Sequence, residues 1–215
     1  MTENTSEVSQ ELKDSLKRLM NKRKEVAVAL EIKIRELEAL LPKEVFDFYN
    51  DFYFAGGCIY SIWNNKEPKD YDIFCKNKKA INKLTKHFKN NKDKADIITS
   101  NAITMKEFQF VIKHIGEPEV EVARFDFKHN CFYYDGTVLG TTTHHDCLDS
   151  NKLEFNSKRA RDVLNIITRI PKFLERGMEI TQSEILNILE LGTRPTKIFG
   201  ERSAIKKRHA GKYRY

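Results

Sequence analysis

Apolar residues recur at helical spacing along the first forty positions of the chain. Leu12, Leu16 and Leu19 begin a series of leucine, valine and isoleucine side chains set among Glu and Lys, and no Gly or Pro interrupts it. Side chains three or four positions apart share one face of an α-helix. The pattern therefore predicts a packing helix over residues 6–41 that ends at Pro42.

After residue 50 the pattern changes to short apolar and aromatic runs, which are typical of strands. Strands are predicted at 52–57, 69–77, 95–106, 108–116 and 119–127. The last of these shows the clearest alternation of apolar and polar positions. Helices are predicted after the first two strands, at 58–65 and 81–91, the second of them basic. This order of elements predicts a mixed α+β domain.

Helical spacing returns after Asn156. Helices are predicted over 157–177, ending near Gly177, and over 183–192, ending at Gly192. We therefore expect four regions in the chain. They are an N-terminal helical segment (1–45), an α+β domain (46–150), a C-terminal helical region (151–193) and a basic tail (194–215).

Charge is concentrated at the C-terminal end. The chain has 38 Lys and Arg against 31 Asp and Glu, and residues 194–215 hold eight of the basic residues and one acid, so residues 1–193 are neutral overall. This distribution predicts a separate nucleic-acid-binding tail, the alternative being a solubilising tail. Tyr213 and Tyr215 are available to stack on bases. The candidate phosphate contacts are Lys206, Lys207, Arg208, Lys212 and Arg214.

Composition narrows the class of protein further. Hydrophobic residues make up 40% of the chain, enough for a folded core, and no apolar run approaches the length of a membrane span. The first residues lack the apolar segment of a signal peptide, so we expect a cytoplasmic protein with its four cysteines reduced. The His and Cys residues between 129 and 147 do not have the pair spacing of structural zinc sites.

A glycine pair and two spaced carboxylates carry the candidate chemistry. Gly56 and Gly57 lie between a predicted strand and a helix, where backbone N–H groups can approach a phosphate. Asp70 and Asp72 are two positions apart on a predicted strand, so both should project from one face while the intervening residues enter the core. Their mutual repulsion would be relieved by a divalent cation such as Mg²⁺, although two solvated aspartates on an edge strand are the simpler alternative.

Further residues extend this candidate site. Asp126 lies on the predicted strand 119–127, where it would supply a third carboxylate from a neighbouring strand as a metal ligand or general base. Arg169, Lys172 and Arg176 follow i, i+3, i+7 spacing and should line one helix face. Opposite the carboxylates they would hold a triphosphate or acceptor phosphates, the alternative being a solvated basic face.

The segments FAGGCIYSIW, KDYDIF and RFDF, in this order, resemble the nucleotidyltransferase superfamily with a DNA polymerase β-like palm. The layout that follows is similar to the head of CCA-adding enzymes and poly(A) polymerases. SNAITMKEFQFVIKHIG and FDFKHN look closer still to small nucleotidyltransferase-like proteins of bacteriophages. Tyr60 and Ser61 stand where CCA-adding enzymes usually have Arg and Asp.

The resemblance implies a palm fold and a nucleoside triphosphate held at Gly56 and Gly57, with Ser61 donating to a phosphate. It also implies two Mg²⁺ ions bound by Asp70, Asp72 and Asp126, the last nearest the acceptor. We therefore expect Mg²⁺-dependent transfer of a nucleoside monophosphate from an NTP to an acceptor hydroxyl, with RNA, such as a tRNA-like 3′ end, as the first choice. The alternatives are a protein or small-molecule acceptor and a catalytically inactive palm that binds nucleic acid or associates with virions.

Overall fold

A seven-stranded mixed sheet with helices on both of its faces forms the centre of the protein. The computed structural model describes residues 3–157 and 163–193. The strands are β1 (Phe52–Ala55), β2 (Tyr71–Cys75), β3 (Ile97–Ile98), β4 (Ala102–Met105), β5 (Phe108–Ile115), β6 (Phe132–Tyr134) and β7 (Leu139–Thr141). The predicted mixed α+β class is confirmed.

The helices account for most of the remaining described chain. They are α1 (Glu3–Leu40), α2 (Phe48–Asp51), α3 (Gly57–Trp63), α4 (Lys78–Asn90), α5 (Pro118–Val122), α6 (Asp146–Asp149), α7 (Val163–Leu174) and α8 (Gln182–Thr193). Short 3₁₀ turns occupy Lys92–Lys94 and Lys128–Asn130. Within the described ranges, no helix combines the length and apolarity that a membrane crossing needs.

The strand order is β3-β4-β5-β2-β1-β6-β7, which places β2 and β1 near the middle of the sheet. β2 runs parallel to β5, with Asp72 opposite Gln109, and antiparallel to β1. The other neighbouring pairs are antiparallel. Asp72 therefore lies on a central strand, with hydrogen-bonded neighbours on both sides.

The two faces of the sheet have different partners. Phe54, Ile73 and Phe110 belong to the main core, which also contains the buried residues of α1 and α4. On the opposite face Tyr53 and Phe74 form a smaller cluster that Val122 of α5 and other residues complete. Successive side chains of a strand point to opposite faces, so the alternation along β1 and β2 divides the two clusters.

The predicted N-terminal packing helix is confirmed. Val26, Leu30, Ile34 and Leu37 of α1 have no exposed surface and join the main core. Residues 10–18 of the same helix are exposed. Packing of the second half of α1 against the sheet is therefore what fixes this helix to the body.

A second apolar cluster joins the C-terminal helices to the sheet domain. Phe127 and Phe155 form an isolated antiparallel bridge, and Phe173 of α7 stacks edge-on against the Phe127 ring with centroids 5.1 Å apart. The remaining buried members of the cluster are Leu153, Ile166, Met178 and Ile188. These contacts hold α7 over one end of the sheet.

The predicted strand at 119–127 is wrong. Residues Pro118–Val122 form helix α5, with Pro118 at the start of the helix, where its missing N–H costs nothing. The Glu121 carboxylate accepts a hydrogen bond from Arg124 Nη1 at 2.8 Å, a contact between positions three apart. The alternation of Val and Glu residues is compatible with one helical turn as well as with a strand.

Two other boundaries differ from the prediction. The stretch 95–106 is divided into β3 and β4 by a tight turn, in which the Thr99 hydroxyl accepts hydrogen bonds from the backbone N–H of Asn101 and of Ala102. Helix α8 spans Gln182–Thr193, one residue more at each end than predicted, and Thr193 is the last residue that the structure describes. The other predicted helices and strands are present, with ends shifted by a few residues where the structure describes them. Residues 158–162 of the predicted helix 157–177 lie outside the described ranges.

Two matched substitutions test how much the stability of the protein depends on the packing of α1. Val26 has no exposed surface and Val28 is 53% exposed on the same helix. Val26→Ala should lower the free energy of unfolding by about 2 kcal/mol, because buried methyl groups are lost and a cavity remains. Val28→Ala should change it by less than about 0.5 kcal/mol. Urea unfolding followed by circular dichroism measures both changes in the free energy of unfolding. Equal changes in the two variants would contradict the burial of Val26 against the sheet.

Candidate active site

The turn between β1 and α3 brings the backbone close to a carboxylate. Gly56 has φ +86°, a conformation that side-chain-bearing residues rarely adopt. A Cβ placed at Gly56 would lie 3.9 Å from Asp72 Oδ2 and 3.5 Å from the Phe125 ring. The turn predicted from the glycine pair is confirmed, and it lies against one of the predicted aspartates.

Asp72 projects from the sheet face opposite its two neighbours. Tyr71 and Ile73 are buried in the main core, as predicted, and the Asp72 carboxylate faces a cleft on the other side. Burial and then the charge of Asp70 raise the pKa of Asp72 to about 7, while the Lys172 ammonium opposes this shift. Asp70 precedes β2 by one residue. The two carboxylates thus interact with each other, and positive charge at this point would relieve their repulsion.

Asp126 reaches the same cleft from irregular backbone rather than from a strand. It lies between α5 and the 3₁₀ turn at 128–130, and its carbonyl oxygen accepts a hydrogen bond from Asn156 N at 2.8 Å. Its side chain is 3% exposed and forms an ion pair with Arg169 of α7. The predicted third carboxylate is therefore present at the cleft, but on a different element and paired with one of the predicted cations.

The cleft has a volume of about 480 Å³ and is built from several elements. Gly56 and Gly57 form part of one wall, Asp72 and Asp126 contribute carboxylates, and α7 contributes Arg169 and Lys172. Phe125 and Phe74 add apolar surface. The structure thus brings together six of the residues that the sequence singled out, and they offer both anionic and cationic groups to a ligand.

Arg176 does not share this cleft. Helix α7 ends at Leu174, so Arg176 leaves the face that carries Arg169 and Lys172 and instead lines an adjoining pocket of about 200 Å³. Ser61 lines the same pocket, and Gly57 borders both spaces. The predicted single row of three cations is therefore divided between two connected sites.

The adjoining pocket contains residues that the sequence did not reveal. Lys66, Lys69 and Arg176 line it together with the acid Glu67, so its basic residues outnumber its acidic ones. His129 Nδ1 and Asn130 Oδ1 are buried and have no hydrogen-bond partner among the described residues. Burial and the nearby Arg176 lower the pKa of His129 to about 3, so its ring is neutral at physiological pH.

The carboxylates do not form a three-membered cluster in this structure. In the ranges 3–157 and 163–193, no group of three His, Cys, Asp or Glu side chains lies close enough together to hold a metal ion. Asp70 and Asp72 remain as a neighbouring pair, and Asp126 is turned to Arg169. The cysteines are buried free thiols, as predicted. The predicted tail contacts Lys206, Lys207, Arg208, Lys212 and Arg214 lie outside the described residues.

A sequence model of the Gabija anti-defense 2 family matches residues 12–153, about two thirds of the chain. The chain belongs to the Gabija anti-defense 2 family. A curated relative named Gabija anti-defense 2, from Bacillus phage SPbetaL7, is 28% identical over 150 residues. That alignment covers 65% of this chain and 37% of the relative, so the chain spans little more than a third of the relative's length. The predicted likeness to phage proteins is confirmed.

Solved structures similar to this Gabija anti-defense 2 protein include CCA-adding enzymes. One is the Thermotoga maritima enzyme complexed with tRNA, with a TM-score of 0.46, 12% identity and coverage of 66% of this chain and 37% of that chain. Another is the Bacillus stearothermophilus enzyme in complex with CTP, with a TM-score of 0.49, 12% identity and coverage of 71% and 42%.

The raised pKa of Asp72 predicts how stability depends on pH. The carboxyl binds a proton up to about pH 7 in the folded state, but only up to about pH 4 in the unfolded chain. Its contribution to stability is therefore present below pH 4 and is lost as the pH rises to 7. Asp72→Asn should remove this loss and raise the free energy of unfolding at pH 8 by up to about 4 kcal/mol relative to wild type.

At pH 4 the same substitution should have little effect. Thermal unfolding of both proteins between pH 4 and pH 8 measures the difference. Asp93→Asn is the control, because that side chain is exposed. A gain in stability that is equal at both pH values would contradict a raised pKa at Asp72.

Proposed function

We propose that this Gabija anti-defense 2 protein transfers a nucleoside monophosphate from an NTP to an acceptor hydroxyl. The observation that carries the proposal is the position of the Asp72 carboxylate, 3.9 Å from where a Cβ at Gly56 would lie. Lys172 and Arg169 line the same cleft. A polyphosphate chain needs cationic groups and accessible backbone. Carboxylates beside it can hold metal ions or accept the proton of the attacking hydroxyl, so this combination supports phosphoryl transfer.

The basic side chains around the cleft provide the proposed triphosphate contacts. Lys172 lies near enough to Asp72 to affect its pKa, and so it can hold a phosphate beside the carboxylates. The adjoining pocket is lined by Lys66, Lys69 and Arg176 together with Ser61 and one acid, Glu67. Three positive charges and a hydroxyl donor fit the outer phosphates of an NTP. Gly57 borders both spaces, so we propose that one ligand extends from the cleft into the adjoining pocket.

The donor set at Asp70 and Asp72 fits Mg²⁺. Mg²⁺ in proteins is commonly held by one or two carboxylates together with substrate phosphates, and the like-charge pair favours a cation. When bound there, the ion would neutralise charge on the triphosphate. Asp126 is the proposed third ligand or general base. Because Arg169 pairs with Asp126 in the structure, that role requires Arg169 to turn from the carboxylate towards the phosphates.

The proposed acceptor is RNA, as expected from the basic tail. The family name adds a biological setting, because it describes a protein that acts against the Gabija defence. We propose that the transfer reaction serves this purpose in the host cytoplasm. The same name favours a component of the defence system as the second candidate acceptor.

Turnover of NTPs tests the reaction. Purified protein is incubated with each labelled NTP, Mg²⁺ and either total RNA or a lysate containing the defence proteins, and pyrophosphate and labelled acceptor are measured. A double variant with Asp70→Ala and Asp72→Ala should release pyrophosphate more than about 100-fold more slowly than wild type. The control is Asp93→Ala, an exposed aspartate that does not line the cleft. Unchanged release in the double variant would refute the proposal.

Protection of infecting phage tests whether catalysis serves anti-defence. Cells that carry a Gabija system are infected while they express wild-type protein, Asp72→Ala or Asp93→Ala, and plaques are counted. Wild type and Asp93→Ala should restore plaque formation, and Asp72→Ala should not, because it lacks the carboxylate beside the glycine turn. Full restoration by Asp72→Ala would instead favour a catalytically inactive palm that acts by binding.

A further inference from the structure

A dense run of lysines lies within the apparently neutral body. Residues 76–94 contain eight lysines and a single acid, Asp93, whereas the rest of residues 1–193 has 22 Lys and Arg against 29 Asp and Glu. The neutral total therefore conceals a strongly positive segment in an otherwise acidic body. This segment comprises helix α4 and the 3₁₀ turn that follows it.

The lysines of α4 occupy one exposed face, which we call the α4 lysine face and define by Lys78, Lys79, Lys83, Lys86 and Lys89. At 100° per residue these five positions fall within a single arc of the helix surface, and the buried Ala80, Ile81, Leu84 and Phe88 fall on the opposite arc. All five lysines are exposed. At 1.5 Å per residue the face extends for about 16 Å, and Lys92 and Lys94 lengthen it beyond the helix.

None of these five lysines has an acidic partner in the described part of the chain. Elsewhere in the body Lys33 pairs with Glu36 and Glu107, and Lys128 pairs with Glu154. Among the residues that the structure describes, the α4 lysine face has no such ion pair within 4.0 Å, so its charges repel one another without compensation from that part of the chain. Such an arrangement is stabilised when an external polyanion supplies the opposite charge.

We propose that the α4 lysine face binds the phosphate backbone of a nucleic acid without sequence preference. Lysine provides a point charge that suits phosphate, and the face contains neither the arginine forks nor the exposed aromatic rings that read or stack on bases. An anionic membrane is a poorer partner, because the apolar side of α4 is buried in the main core and cannot enter lipid.

The α4 lysine face is separate from the cleft. The buried side of α4 packs against the sheet face that holds Ile73 and Phe110, with the Phe88 and Phe110 rings 6.0 Å apart. The cleft opens on the other sheet face, beside Asp72 and Phe74. Nucleic-acid binding at α4 therefore does not depend on the proposed nucleotidyl transfer, and each can fail without the other.

The test measures binding of labelled nucleic acid by the full chain. Fluorescence anisotropy is recorded with a single-stranded RNA and a duplex DNA, each of about 20 nucleotides or base pairs and mixed sequence, between about 50 and 200 mM salt. The α4 variant is a single protein that carries three substitutions together, Lys79→Gln, Lys83→Gln and Lys86→Gln. The control, with equal charge loss, is Lys13→Gln, Lys17→Gln, Lys24→Gln on α1, where all three lysines are exposed. Circular dichroism confirms that both variants are folded.

Removing three backbone contacts should weaken binding at least about tenfold and make the slope of log affinity against log salt less steep by about 2 units. The control variant should match wild type, and Mg-ATP binding by calorimetry should be unchanged in both variants. Phosphatidylserine vesicles are tested with the same variants. The proposal is overturned if the α4 variant and the control bind RNA and DNA equally, or if the α4 substitutions weaken binding to the vesicles but not to the nucleic acids.

Discussion

The contact between the Gly56 turn and the Asp72 carboxylate is the constraint on which the site depends. Asp72 occupies a central strand whose register is fixed on one side by β1 and on the other by β5. Because Tyr71 and Ile73 enter the main core, Asp72 has to face the opposite side. A side chain at position 56 would fill the space beside that carboxylate and require an unfavourable backbone conformation. Glycine at this turn thus gives a ligand access to both backbone and carboxylate.

Helix α7 completes the cleft from outside the sheet, and aromatic packing determines where it lies. Phe173 contacts both Phe127 and His129 edge-on, with ring centroids 5.1 and 5.0 Å away. This packing positions Lys172 and Arg169 over the carboxylates. The family match ends at residue 153, so these cations come from a part of the chain beyond it. The sheet domain therefore supplies the carboxylates and the glycine turn, and the C-terminal helices supply balancing charge.

Charge in this protein is organised locally rather than overall. Around the cleft, burial and like charge raise the pKa of Asp72, and cations from α7 oppose that effect. On the other side of the sheet, the five lysines of α4 meet no carboxylate in the described ranges. A chain total of +7 says little about either feature, because opposite charges on separate surfaces cancel in the sum, while each charge acts over only about 8 Å in physiological salt.

Local sequence patterns were enough to predict the helix over the first forty residues, the strand–glycine–helix turn and the sheet face from which Asp72 projects. Each of these follows from the local repeat of apolar positions or from the conformational freedom of glycine. The structure of residues 118–127 was predicted wrongly, because alternating Val and Glu residues suit both a strand and a short helix that begins at Pro118. Tertiary structure alone decided that Asp126 pairs with Arg169, 43 positions away, and that His129 and Asn130 border a pocket with Lys66. Those contacts join residues distant in the chain, and their partners are set by how the packed elements meet rather than by any local pattern.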